Sequence, residues 1–285
     1  MARIVCVGSL NHDITVWVPR RPEPDETLHG DRVEEFRGGK GANQIVAAAR
    51  LGAETSMVGC VGVDGRGDFL LRGLDIDGVD RGHVRRVDIP TGVALITVDP
   101  DDVSIVVVSG ANSALDPSMV VEARDVIEGA DALLLQGEVP AAAAAQAAQI
   151  ASAMGTLVVF NPAPFNDVAE AVIPLADVLI VNRLEAAELG AVNCRVLVTT
   201  LGQFGCDITV DGATEHVPPF DANTVDPTGA GDCFAAAMAV GLAEGMSPVD
   251  AASFANAAGS IAVEKAGAQP SLPTRGAVDE RLATH

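Results

Sequence analysis

Short runs of β-branched and aliphatic residues alternate with alanine-rich runs along most of this chain, and that alternation limits its fold more than any other feature. RIVCVG from Arg3, TSMVGCVG from Thr55, DALLLQ from Asp131, TLVVFN from Thr156, DVLIVN from Asp177 and RVLVTT from Arg195 read as strands. KGANQIVAAARLG, PSMVVEARDVI, PAAAAAQAAQIASAMG and RLEAAELG lie between them and read as helices. Strand and helix in alternation predict an α/β core, a doubly wound, mostly parallel sheet with helices on both faces. Ligands of such sheets gather at the carboxyl ends of the strands, so the residues just after each strand are the candidates for function.

Two segments break the rhythm. DITVWVPRRPEPDETLHGDRVEEF (Asp13 to Phe36) and TGVALITVDPDDVSIVVVSG (Thr91 to Gly110) alternate apolar and polar residues around turn signals, as half-buried antiparallel strands do. Together they predict a small four-stranded β lid built from residues 13–37 and 91–110, on a core made of residues 1–12, 38–90 and 111–285. Gly38, Gly39 and Gly110 are the expected hinges. A lid of this kind leaves an edge that must be covered, which predicts a homodimer joined lid to lid.

The chain has 285 residues, with 18 Lys plus Arg against 39 Asp plus Glu, for a formal charge of −21. That balance repels nucleic acid and anionic membranes and favours a small-molecule ligand. Aromatics make up only 3% and tyrosine is absent, so the core must be aliphatic. Five scattered cysteines without a C-x-x-C suit reduced thiols. The apolar run in MARIVCVGSLNHD is too short for a signal peptide, and no window reaches about 18 uninterrupted apolar residues; a cytoplasmic location is expected. The only lysines are Lys40 and Lys265.

Several of the loops after strands could carry chemistry. In RGGKGANQIVAAARLG three glycines and Lys40 precede a helix, which offers N–H groups and a cation to a polar ligand, or simply a turn joining lid to core. GSLNHD sets Asn11 and Asp13 on one side of an extended segment, able to grip vicinal hydroxyls or to form an Asx turn. In LLLQGEVP, Glu138 could accept a sugar hydroxyl or cap a helix. Asn182 and Glu185 in VNRLEAAE form a capping-box pattern, or order metal-bound water near a phosphate. Thr200, Gly202 and Gly205 in TTLGQFG suit a nucleotide or a hairpin turn. VGVDGRGD lacks the G-x-G-x-x-G spacing of dinucleotide binders, which argues against a dehydrogenase.

DPTGAGDCFAAAMAVG completes the set. Gly229, Ala230 and Gly231 can turn N–H groups toward an oxyanion at the start of a helix. Asp232 follows them, and an aspartate of pKa about 3.9 is ionised at pH 7; it would repel a phosphate unless a hydroxyl lay between. A carboxylate there can take the hydroxyl proton as oxygen attacks phosphorus. As an alternative, Asp232 is only a first-turn helix acid.

GGKGANQIVAAARLG and DPTGAGDCFAAAMAVGL, in this order and at this separation, resemble the two signatures of the PfkB, or ribokinase-like, carbohydrate kinases, and the likeness runs from Val5 to Pro273. GSLNHD, LLLQGEVP and FANAAGSIAVEKAGAQPSLP are most similar to the ribose-phosphorylating members. The resemblance implies the ribokinase-like fold and ATP-dependent phosphorylation of a pentose at its primary hydroxyl, D-ribose to D-ribose 5-phosphate, with Mg²⁺ accompanying ATP and K⁺ as monovalent-cation activator. It implies that Asn11, Asp13, Gly39, Lys40, Asn43 and Glu138 hold the sugar and that Asp232 is the base. Asn182, Glu185, Thr200, Gly202, Gly205, Gly229, Ala230, Gly231 and Asn256 would serve the nucleotide. Oxygens of Asp226, Thr228, Ala262, Lys265, Gly267 and Ser271 would form the monovalent-cation shell, Lys265 through its carbonyl. Two departures stand out: only one helix fits between VLIVN and RVLVTT, which trims the rim near the adenine pocket, and Gly137 is small beside Glu138, which would loosen sugar selectivity. Other acceptors (deoxyribose, a nucleoside, a hexose) and a non-catalytic sugar or nucleotide sensor are the alternative readings.

Overall fold

Thirteen strands and eleven α-helices occur among the described residues of the computed structural model, which are 1–100, 102–190, 192 and 194–284. The strands are β1 (Arg3–Val7), β2 (Asn11–Trp17), β3 (Arg32–Gly38), β4 (Glu54–Gly62), β5 (Asp80–Val87), β6 (Gly92–Val98), β7 (Val103–Val108), β8 (Ala132–Gln136), β9 (Leu157–Asn161), β10 (Val178–Asn182), β11 (Val196–Thr200), β12 (Cys206–Val210) and β13 (Ala213–Val217). The helices are α1 (Lys40–Arg50), α2 (Gly65–Ile76), α3 (Pro117–Glu122), α4 (Arg124–Glu128), α5 (Ala141–Met154), α6 (Asp167–Val172), α7 (Arg183–Leu189), α8 (Ala230–Ala243), α9 (Pro248–Ala262), α10 (Ala268–Ser271) and α11 (Arg275–Ala283).

The main sheet runs β13-β12-β11-β10-β9-β8-β1-β4-β5, parallel from β11 to β5, with β12 and β13 antiparallel at one edge. Both faces are covered, which explains why its central strands are continuously apolar. Along β1, Ile4 and Cys6 enter the core beneath α1, α2, α8 and α9, while Val5 and Val7 enter the core beneath α3 to α6. The alanines of α8 and α9 let those two helices approach closely, and most of α8 is buried, from Asp232 to Gly241. All six strands read from the alternation are present. β5, β12 and β13 add to them: β5 reads DRGHVRRV because it is an edge, and its arginines face water to pair with helix acids, Arg81 with Asp75 and Arg86 with Asp68. Asp64 in VGVDGRGD caps α2, accepting from Gly67 N–H at 2.8 Å.

The second sheet has the order β3-β2-β6-β7, with β2 and β6 parallel inside and two edges, β3 and β7. The Asp99–Asp102 turn joins β6 to β7, and its Asp101 lies outside the described residues. β2 starts four residues after β1 ends and β3 ends two residues before α1 begins, so the small sheet grows from the carboxyl edge of the large one. Among the described residues α7 is the one helix between β10 and β11; 191 and 193, in the connection that follows, lie outside them.

Candidate active site

The site is organised around the start of α8. The helical ladder begins with Cys233 N–H on Gly229 O at 2.8 Å, and Ala230 N–H goes to Pro227 O at 3.2 Å. The amides of Gly231 and Asp232 precede that ladder and belong to the unpaired first turn of a 14-residue helix. The Asp232 side chain is only 6% exposed. It is held by α1: Asn43 Nδ2 donates to Oδ2 at 2.9 Å and Gln44 Nε2 donates to Oδ1 at 3.2 Å. Two buried amides need polar partners, and the carboxylate accepts from their N–H₂ groups.

Around this pair of helices the charges converge. Asp232 foremost, then Glu138 and Glu185, hold the Lys40 ammonium above the usual lysine range against the opposing effect of burial. Burial first, then Glu138 and Asp232, push the Asp13 carboxyl up to about 7. Asn11, Asp13, Gly39, Lys40, Asn43, Glu138 and Asp232 all line one cleft of about 910 Å³ under the small sheet. Asn11 Oδ1 accepts from Asn112 Nδ2 at 2.8 Å. Asp13 Oδ1 and Asn43 Oδ1 are buried and without a partner, so each has capacity left for a ligand hydroxyl. Glu138 accepts from Ser9 Oγ and from Lys40 N–H at 3.1 Å, so it faces α1 and not the first turn of α5.

A second, smaller cleft of about 220 Å³ adjoins the first and shares Lys40, Glu185, Gly229 and Asp232 with it. Asn182, Thr200 and Gly231 line this one. Asn182 and Glu185 form the capping box: Asn182 Oδ1 accepts from Leu184 and Glu185 N–H at 2.8 and 2.9 Å, and Glu185 accepts from Asn182 N–H at 2.8 Å. Gly202 and Gly205 flank the turn between β11 and antiparallel β12, outside both clefts. Asn256 directs its amide to Val217 O and Pro218 O at 3.2 and 3.0 Å. Ala230 opens α8 without lining either cleft.

Asp226 ties the approach to α8 to the segment after α9. Its Oδ1 accepts from Thr228 N–H at 2.9 Å and its Oδ2 from Gly267 N–H at 2.8 Å. Ala262 ends α9, Lys265 is exposed, and Ser271 Oγ donates to Ala268 O at 2.7 Å.

Sequence reasoning left out Asn112, which lines the larger cleft, Asn161, which lines the smaller, and Ser9, Gln44 and Gln136, which support the site from behind. The only cue was the NQ pair inside GANQIVAAAR and the glutamine closing LLLQ. Gly137, expected to loosen sugar selectivity, lines the larger cleft. A Cβ at 137 would run into the carbonyl oxygen of Pro164, so the glycine is imposed by a close backbone approach.

The pfkB family carbohydrate kinase model matches residues 1–275. The ribokinase of Bacillus subtilis is 37% identical over 293 residues, covering 99% of this chain and all of that protein. Among solved structures, Arabidopsis thaliana ribokinase complexed with ribose and ATP superposes with a TM-score of 0.91 at 31% identity, over 99% of this chain and 98% of that one. Thermotoga maritima ribokinase gives 0.89 at 31% identity, over 99% of this chain and 100% of that one. A parallel sheet with a buried carboxylate at a helix start between two adjoining clefts, and a family match spanning nearly the whole length, agree: the chain belongs to the pfkB family of carbohydrate kinases, phosphotransferases with an alcohol acceptor.

Proposed function

We propose that this protein transfers the γ-phosphoryl group of ATP to the primary hydroxyl of a pentose, D-ribose giving D-ribose 5-phosphate. The observation behind this reading is that Asp232 and Lys40 line both clefts at once, so an acceptor in the larger and a nucleotide in the smaller would meet at Asp232. Asn11, Asp13, Gly39, Lys40, Asn43 and Glu138 hold the sugar. Asp232 takes the hydroxyl proton as the oxygen attacks phosphorus. The N–H groups of Gly229 to Asp232, at the positive end of α8, stabilise charge on the transferring group, with Gly231 and Asp232 contributing most. Asn182, Glu185 and Thr200 border the nucleotide, while Gly202, Gly205 and Asn256 act on it through the backbone they shape.

Among the described residues no three His, Cys, Asp or Glu side chains are grouped as a metal cage. Mg²⁺ would accompany ATP, with Asn182 and Glu185 ordering its water, and would supply neutralisation of phosphate charge. Asp226, Thr228, Ala262, Lys265, Gly267 and Ser271 would hold K⁺, which would stiffen the join that Asp226 makes beside the start of α8. Residues 13–37 and 91–110 act as the lid on the remaining core. The five free cysteines suit the reducing conditions of the cytoplasm.

A second reading has one observation in its favour: Ile96, Ile105 and Val107 give the larger cleft an apolar roof, which would also suit the base of a nucleoside. Comparing kcat/KM for D-ribose, deoxyribose, a hexose and adenosine separates the readings. D-ribose is expected to lead by at least about tenfold, and a nucleoside ahead of ribose would overturn the assignment. In the same assay, omission of K⁺ should slow turnover, and indifference to K⁺ removes the cation shell.

A further inference from the structure

Behind Asp232 lies a chain of buried amides that the transfer reaction itself does not use. Gln44 and Gln136 are both 0% exposed, an unusual place for two glutamines. Gln136 Nε2 donates to Gln44 Oε1 at 2.6 Å, and Gln44 Nε2 donates onward to Asp232 Oδ1 at 3.2 Å. The same Gln44 nitrogen reaches Asn161 Oδ1 at 3.5 Å, and Asn161 is fixed by its own bond to Ile180 O at 2.8 Å. Gln136 is seated by Cys6, whose Sγ lies 3.5 Å from Nε2 and whose thiol is buried. The backbone makes room for this arrangement: a Cβ on Gly8 would strike Gln136 Oε1.

An amide can present either end to a carboxylate, and only the N–H₂ end is attractive. Gln136 occupies the oxygen end of Gln44 and so fixes the sense of the second amide. We propose that Gln44, oriented by Gln136, is a positioning residue that sets the angle of the Asp232 carboxylate toward the acceptor hydroxyl. Asn43 holds the other oxygen from the ligand side, so the carboxylate is pinned at two points by adjacent residues of α1. Gln44 lines neither cleft and touches neither substrate directly. Its effect therefore falls on turnover and not on substrate binding. The inference rests on Asp232 being the base.

The test is a double-mutant cycle between Gln44→Met, which keeps the length and loses the donor, and Asp232→Asn. Gln44→Met is expected to lower kcat about 10- to 100-fold, with KM for D-ribose and ATP within about twofold and the melting curve still cooperative. In the Asp232→Asn background the same change should cost less than about twofold. Gln136→Met, which leaves the Gln44 amide free to turn over, should lower kcat in the same direction and by less; should Gln44→Met fail to fold, this variant enters the cycle in its place. Unchanged kcat in the Gln44→Met enzyme, or an equal loss in both backgrounds, would overturn the proposal. Near-normal turnover by Asp232→Asn alone would instead show that the base assignment, and this inference with it, had failed.

Discussion

Asp13 lines the larger cleft with five other carboxylates, of which Glu138 and Asp232 act on it, and with one ammonium, Lys40. Burial and those two acids lift its carboxyl from 3.8 to about 7. The folded pKa is raised, so the protonated form is the one the empty fold favours. Below the unfolded value both states keep the proton; between about 4 and about 7 only the folded state does, and stability falls as pH rises across that window. A sugar hydroxyl donating to Asp13 favours the carboxylate, so sugar binding expels the proton. KM for the sugar should therefore fall as pH rises toward about 7 and level off above it. Initial rates on either side of that pH check this, with Asp13→Asn as control: the variant should lose the dependence, and an unchanged profile would remove Asp13 as its source.

At the scale of elements, Gly137 links β8 to the sugar cleft. Its carbonyl accepts from Asn166 Nδ2 at 2.8 Å while its missing side chain lets the chain at Pro164 pass close by. Gly137→Ala should push that neighbouring segment outward, lower stability by about 1–3 kcal/mol and raise KM for the sugar. Chemical denaturation and initial rates test it, and unchanged stability would contradict the close approach. The parallel core was legible because β1, β8 and β10 are buried on both faces and read as unbroken apolar runs. β5 was not, because a solvent-facing edge rich in arginine loses that signature. The ligand-facing residues were legible as polar side chains in glycine-flanked loops beside strand ends. Gln44 and Gln136 were not, since a buried amide in a helix or strand declares its partner only when distant segments meet.

Over the whole molecule, the small sheet exposes an apolar outer side. Leu95, Val106 and Val108 are 48%, 61% and 56% exposed, and β7 ends the sheet with an open edge. Such an edge invites pairing, and lid-to-lid association of two copies would cover both features. Solution scattering over a dilution series should report a dimer that dissociates only at low concentration; monomers at every concentration would contradict it. Replacing Val106 with Glu should shift that equilibrium toward monomer. The proposed reaction turns on one carboxylate, Asp232, held where the two clefts join. Steady-state turnover of Asp232→Asn with ATP, Mg²⁺, K⁺ and D-ribose, alongside its ATP affinity, measures that carboxylate directly. The expected result is a loss of about 10²–10⁴ in kcat with ATP affinity retained, and turnover within a few-fold of the native enzyme would contradict it.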